Sequence, residues 1–311
     1  MKNKTMIDFV GKKRWFILGS AIALLIMIIS LAAFKLTPGV DFTGGTSMTL
    51  NFTPQVEQGQ LRQDFIKLGH PEAVIQKAGD NFFIRIKVIN TTERETLFTG
   101  LKTNLNTTEI STLDYSTISP SVAANTARNA GIAVIIACVA MLFYIAWAFR
   151  RMPNPIRWGT CAIVALVHDV LIVLGIFAIL GHALHVEVDA LFISAILTIV
   201  GYSINNVVIV FDRIRENKTR GISPDFSVVV NSSLTETLMR NLNTTLTVIV
   251  VLLALFLFGG STIHYFILAL LIGVIVGIYT SLFIAGQLLI VWEKGEWREV
   301  FPWLFPAKKA A

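Results

Sequence analysis

Charge is scarce in this sequence. Only 15% of its 311 residues are Asp, Glu, Lys or Arg, while 54% are hydrophobic. A water-soluble domain carries about 25% charged residues, so that class is excluded at the outset. Cysteine is nearly absent. Cys138 and Cys161 both fall in apolar runs, which offers neither a disulfide framework nor metal-ligand spacing, and they are expected to act as small packing residues. A nucleotide loop, a nucleophile–base set and a cluster of metal-ligating residue types are all missing. No cofactor and no metal are therefore expected, and an enzyme is the least supported class. The net charge of +6 invites a nucleic-acid reading, but the basic residues sit beside apolar runs. They are better explained as the flanks of membrane helices, so the lipid bilayer is the expected partner and nucleic acid is not.

What the chain does have is long apolar runs, and about 20 such residues cross a bilayer core as a helix. Residues 1–14 are polar and basic, with Lys2, Lys4, Lys12, Lys13 and Arg14, and Trp15–Phe34 follows without interruption. That run is longer than a signal-peptide core and is followed by Lys35 and Pro38 rather than a small-residue cleavage site. It predicts a retained membrane helix over 15–34. Five more runs fill 130–292, near Ala130–Phe149, Trp158–Leu180, Ala190–Phe211, Leu242–Phe258 and Phe266–Trp292. Arg150, Arg151 and Arg157 follow the second run, Arg213, Arg215, Lys218 and Arg220 the fourth, and Lys294 and Arg298 the sixth. The connections Gly181–Val188 and Gly259–His264 hold no Lys or Arg. The positive-inside rule then places both termini, including the tail 293–311, in the cytoplasm and residues 36–128 on the far side.

Residues 36–128 change character. Thr46–Phe52 alternates as a strand does, and Val56–Gly69 has a helical period through Leu61, Phe65 and Leu68. Ala73–Ala78 and Phe82–Val88 predict two strands joined at Gly79-Asp80, Glu93–Leu105 a helix, and Glu109–Ile118 a last strand. The order β-α-β-β-α-β is that of a ferredoxin-like unit. The expected fold is thus an α-helical polytopic membrane protein of six transmembrane helices with one extracytoplasmic ferredoxin-like α+β domain. Asn90-Thr91-Thr92 and Asn106-Thr107-Thr108 match the glycosylation pattern, which is too short to carry weight.

Polar residues inside apolar runs are the candidates for chemistry. Asn205 and Asn206 lie within the fourth run and His168 and Asp169 near the middle of the third. Each set allows two readings: hydrogen bonds that hold helices together, or positions on a transport or proton path. Arg240 stands at the edge of the fifth run, where it either snorkels to the interface or faces the bundle and pairs with an acid. Thr244, Thr245 and Thr247 either bond back to their own helix or line a wet path. Asp212, Arg213, Arg215 and Glu216 look like a solvated helix end. Helical spacing puts Asn206, Val210 and Arg213 on one face. Asp41-Phe42-Thr43-Gly44-Gly45-Thr46 lacks the Lys and the following helix of a phosphate loop, and predicts a tight turn into the first strand. Gly273 and Gly277 form a small-xxx-small pair for close helix contact.

Several of these segments together resemble the SecD/SecF family of bacterial protein-export membrane subunits, on its SecF side. They are Gly39-Val40-Asp41-Phe42-Thr43-Gly44-Gly45-Thr46, Pro120-Ser121-Val122, Val167-His168-Asp169-Val170, and Gly201-Tyr202-Ser203-Ile204-Asn205 with Phe211-Asp212-Arg213-Ile214-Arg215-Glu216-Asn217. Ser233-Leu234-Thr235 with Thr237-Leu238 and Arg240, and Leu257-Phe258-Gly259-Gly260, complete the set in the same order. The resemblance covers essentially the whole chain. It implies a subunit in the bacterial inner membrane that acts with SecD, the SecYEG translocon and a translocating preprotein. It also implies use of the proton-motive force, as in the related resistance-nodulation-division transporters. The family's arginine falls on Arg240 and its third-span carboxylate on Asp169.

One departure matters. Asn206 stands where the family pattern has its principal proton-carrying aspartate. An amide keeps the shape of a protonated carboxyl but cannot release a proton. Either coupling is lost at this position, or the role lies with Asp169 or with SecD, or the residue is a deliberate mimic of the protonated state. Two further function classes stay open: a stand-alone exporter of small molecules or lipids, for which one six-helix bundle is half the usual transporter, and an assembly scaffold without a transport cycle.

Overall fold

The computed structural model describes residues 8–260 and 263–300. Positions 1–7, 261–262 and 301–311, which hold Lys2, Lys4 and most of the C-terminal tail, lie outside the described residues, as does the Arg298 side chain. The chain divides into two compact units: Thr37–Ile132 with Ala183–Ala190, and the remainder.

The smaller unit is built on a four-stranded antiparallel sheet of order β2-β3-β1-β4, with β1 Gly45–Thr53, β2 Val74–Ala78, β3 Asn81–Ile86 and β4 Glu109–Ile118. Alternation decides the buried face. Phe82, Ile84 and Ile86 point inward from β3, beside Met48, Leu50 and Phe52 of β1. Helix α3 (Gln58–Lys67) brings Leu61 and Phe65 to the same core, and α4 (Thr91–Leu105) brings Leu97, Leu101 and Leu105. This is the ferredoxin-like arrangement that the element order predicts. Helix α4 opens with a capping box: Asn90 Oδ1 accepts from Glu93 N at 2.8 Å while Glu93 Oε2 accepts from Asn90 N at 2.9 Å.

The expected tight turn before the first strand is instead one turn of helix, α2 (Val40–Thr43), followed by Gly44 and Gly45. Both glycines have positive φ, at 75° and 140°. A Cβ on Gly44 would lie 3.0 Å from Pro120 Cα, and one on Gly45 would lie 2.7 Å from the Ile86 carbonyl oxygen. Backbone conformation and close approach both demand glycine here.

The other unit is helical. Among the described residues, six segments are long and apolar enough to cross a membrane: α1 (Lys13–Phe34), α5 (Pro120–Ala148), α6 (Pro155–Leu184), α7 (Ala190–Thr219), α8 (Phe226–Phe258) and His264–Lys294. The last comprises α9 (His264–Thr280), a π-turn at Ser281–Ala285, and α10 (Gly286–Lys294), and the short α11 (Trp297–Val300) follows. Helices α5 and α8 begin well before the apolar runs that betray them. Hydropathy marks the lipid-facing stretch, whereas the hydrogen-bond ladder starts at its cap. Pro120 takes the first helical position of α5. Asp225 caps α8, its Oδ1 accepting from Ser227 N at 3.0 Å.

Half or more of the apolar stretch is buried in α6, α7 and His264–Lys294, against 17% in α1, 11% in α8 and 6% in α5. The first three are therefore the centre of the bundle, and the others present most of their surface outward. Phe149, Trp158 and Phe211 anchor one end, with ring centroids 5.3–5.9 Å apart. Cys161 is buried and Cys138 half-buried, both as free thiols.

Candidate intramembrane polar site

Two polar constellations lie among the membrane helices. The first surrounds Asp169, which α6 carries into the bundle centre with no exposed surface. Its Oδ1 accepts from the Thr280 hydroxyl at 2.5 Å, and its Oδ2 accepts from the Ser203 hydroxyl. His168 Nδ1 lies 3.3 Å from Asp169 Oδ1, and His168 Nε2 lies 2.5 Å from Ser20 Oγ. Four helices, α1, α6, α7 and α9, thus converge on one carboxyl–imidazole pair. The pi-turn starts directly after Thr280, and such turns recur at functional sites. Gly277 lies against the site: a Cβ there would meet Ser203 Cβ at 3.4 Å and Asp169 Oδ2 at 3.6 Å, ordinary contact distances. The predicted small-residue pair is a contact site, with Gly273 against Ile199.

A net charge buried among membrane helices is costly, so a buried carboxyl there needs partners within the protein. Thr280, Ser203 and His168 supply them at Asp169.

The second constellation runs along α7 and α8. Asn206 is 1% exposed and Asn241 is fully buried, while the neighbouring Asn205 and Arg240 are exposed. Hydrogen bonds fix the antiparallel register of these helices. Asn217 Nδ2 donates to Ser233 Oγ at 3.0 Å, and the Tyr202 hydroxyl donates to Thr245 Oγ1 at 3.0 Å. Counting residues between those two levels puts Asn206 opposite Asn241. Neither Asn206 Nδ2 nor either amide atom of Asn241 has a protein hydrogen-bond partner among the described residues.

Toward one end of these helices Ile209, Asp212, Arg213, Glu216, Glu236, Thr237 and Arg240 line a cavity of about 350 Å³. Arg213 pairs with both Glu216 and Glu236, and Arg215 with Asp212. The helix end is solvated, with these side chains 30–54% exposed, and the Arg213–Glu236 pair also ties α7 to α8. Arg240 shares the cavity without forming an ion pair to any described residue. Beyond it Asn243, Thr244 and Thr247 are exposed at i+3, i+4 and i+7, so α8 carries an open polar stripe through its apolar stretch. Thr244 and Thr247 also bond back to their own helix, at Arg240 O (2.9 Å) and Thr244 O (2.8 Å).

Asp41, the first acid of the glycine motif, serves a different place. Its Oδ2 accepts from Ala190 N at 2.7 Å, capping the first turn of α7 from a distant part of the chain.

The structure thus brings His168 and Asp169 together, and Asn205, Asp212, Arg213 and Arg240 along one pair of helices. Ser20, Ser203, Thr280, Glu236 and Asn241 complete these sites, and of them only Ser203 lies in a recognised motif, Gly201–Asn205. The signal available for four of them was only a polar side chain inside or beside an apolar run. Nothing local marks Ser20 as a partner of His168, 148 residues away.

Comparison with known proteins accounts for the arrangement. Protein export membrane protein SecD/SecF, C-terminal, matches residues 99–295, and the SecD/SecF GG motif matches residues 29–56. Protein translocase subunit SecF of Thermobaculum terrenum is 40% identical over 95% of this chain and 97% of its own. Protein translocase subunit SecDF of Bacillus subtilis is 34% identical over 93% of this chain but only 38% of its own. A crystal structure of SecDF from Thermus thermophilus superimposes with a TM-score of 0.84 at 32% identity, covering 94% of this chain and 40% of that one. A SecDF crystal structure in a super-membrane-facing form gives 0.65 at 31% identity. With two family profiles, near-complete relatives and a matching fold in hand, the chain belongs to the SecD/SecF family of protein export membrane proteins, as a multi-pass subunit of the SecF type.

Proposed function

We propose that this chain is the SecF-type auxiliary subunit of the bacterial Sec export machinery, working beside SecD and the SecYEG translocon to draw preproteins across the inner membrane. Both termini lie in the cytoplasm in this reading, and residues 36–128 face outward, in accord with the Arg and Lys distribution. One observation carries the partnership: the stripe Arg240, Asn243, Thr244 and Thr247 on α8, with Asn205 on α7, is polar and open on the outside of the bundle. Lipid cannot satisfy such a surface, whereas another helix bundle can. In the SecDF relatives the counterpart of this chain is 38–40% of a single polypeptide, so a further part of that polypeptide is at hand to cover the stripe.

The proton step in this chain is assigned to His168 and Asp169. Asn206 cannot ionise, and Asn241, at about the same level of α8, is a second buried amide. Neutral groups thus occupy the level where a proton carrier would otherwise stand. The test is preprotein translocation into inverted membrane vesicles holding the cognate SecD, with and without a proton gradient. The expected result is stimulation by this chain that needs the gradient and is lost in Asp169→Asn. Gradient-dependent stimulation that survives Asp169→Asn, or that appears only after Asn206→Asp, would overturn the assignment. Export unaffected by removal of the whole chain would overturn the function.

A further inference from the structure

Within the smaller unit, the connection between α6 and α7 is pinned to residues 37–41, β2 and β3 by a set of specific bonds. Gly39 N donates to Val188 O and Val188 N to Thr37 O, each at 2.8 Å. Gln76 Nε2 of β2 donates to His185 O at 2.6 Å, and Arg85 Nη1 of β3 to Pro38 O at 2.8 Å. Asp41 then caps Ala190, the residue at which the connection becomes α7. In the middle of this clasp sits a carboxyl that the proton step assigned above does not use. The Glu187 side chain is only 11% exposed. Its Oε2 packs against Gly39, where a Cβ would come within 3.3 Å of it. Its Oε1 lies 3.0 Å from Arg85 Nη1, yet accepts no hydrogen bond among the described residues, and Arg85 Nη1 donates to Pro38 O.

A carboxylate removed from water needs several donors aimed at its oxygens. This seat supplies one nearby cation and no aligned donor to Oε1, which is a better environment for a neutral carboxyl. We infer that Glu187 is a proton-binding residue, and that its protonation is linked to seating of the α6–α7 connection within the smaller unit. Burial raises its pKa to about 7, Arg85 opposes the rise and Asp189 on the same connection adds to it. His185 and Asp41 are the other titratable groups of the clasp, the first engaged through its carbonyl and the second through Ala190 N.

The sign follows from that shift. A carboxyl whose pKa is higher when seated than the ordinary 4.5 takes up a proton on seating. Seating is therefore favoured most below pH 4.5, and the advantage is lost as pH rises to about 7. The connection ends at Ala190, the first residue of α7, so proton binding at Glu187 bears on the segment that Asp41 caps. On the orientation proposed above, on which this meaning rests, Glu187 faces the proton-rich side of the membrane.

The experiment is hydrogen–deuterium exchange of the full-length protein in nanodiscs, corrected for the intrinsic pH dependence of exchange, over the segments 37–41 and 183–190. Lowering the pH from 8 to 5.5 should raise protection in both by up to about 30-fold, from the linkage of one proton with these two pKa values. Glu187→Gln, which mimics the neutral carboxyl, should hold the low-pH protection at pH 8. Arg85→Gln, which removes the opposing charge, should move the response to higher pH. Protection that does not change with pH in the wild type, or a pH response that persists in Glu187→Gln, overturns the inference. Because no translocation is measured, failure here leaves the Sec assignment standing, and loss of that assignment leaves the protonation result intact.

Discussion

Asp169 is held by two hydroxyls with His168 beside it, and that sets what each substitution around it does. Thr280→Val keeps the shape of the side chain and removes the donor to Oδ1. Leaving a buried acceptor short of a partner costs about 1–3 kcal/mol. Thermal unfolding in detergent should fall accordingly and recover in Thr280→Ser; an unchanged midpoint in Thr280→Val would show that Asp169 does not rely on it. The ionisable residues of this cluster were legible from sequence at this scale, because an ionisable group inside a twenty-residue apolar run stands out against its neighbours. Their partners were not. Thr280 and Ser203 are ordinary hydroxyls in helices, and only the crossing of α6, α7 and α9 makes them donors to one carboxyl.

At the scale of elements, the ends of helices carry the testable claims. Asn90 satisfies the first turn of α4 and receives Glu93 in return. Asn90→Ala should cost about 1 kcal/mol of stability in the smaller unit, read by chemical unfolding. Asp41 performs the same office for α7 across 149 residues of sequence. Asp41→Ala should therefore loosen the first turn of α7, seen as faster amide exchange near Ala190, while Asp41→Asn, which keeps an acceptor, should lose less than half of that effect. Exchange unaltered in Asp41→Ala would remove the cap from the account. Gly45→Ala meets both a positive φ and the Ile86 carbonyl, and the strain of about 1–3 kcal/mol for such a conformation is the least it should cost.

These elements also show where sequence patterning stopped. The strands and helices of the smaller unit follow from alternation and turn residues, and β4 begins and ends where the pattern puts it. The helix Val40–Thr43 does not, because a four-residue turn has no period to detect. The early starts of α5 and α8 were hidden for another reason. Asn125, Thr126, Asn129 and Ser232, Ser233, Thr235 dilute the hydropathy while the helical hydrogen bonds run on beneath them.

For the whole molecule, the decisive property is the polar stripe that the bundle leaves open on α8. Arg240→Ala touches no ion pair formed by a described residue, so the isolated protein should keep its thermal stability within about 0.5 kcal/mol, as surface substitutions do. Co-purification with SecD should weaken in the same variant. Unaltered SecD recovery alongside unaltered stability would mean that another face makes the contact.

Length and hydropathy alone determined that six helices cross the membrane and that a ferredoxin-like unit is inserted after the first. Both constraints act on consecutive residues: a bilayer asks for one apolar stretch per crossing, and a half-buried sheet asks for alternation. Sequence also determined that Asn206 cannot carry a proton, since that is a property of the amide itself. Only the tertiary structure decided that Asn206 and Asn241 are buried while Asn205 and Arg240 look outward. It alone placed Ser20 beside His168, and Glu187 in a seat without an aligned donor. Such matters depend on which faces of distant helices and loops meet, and no local spacing encodes a contact between residues 148 positions apart.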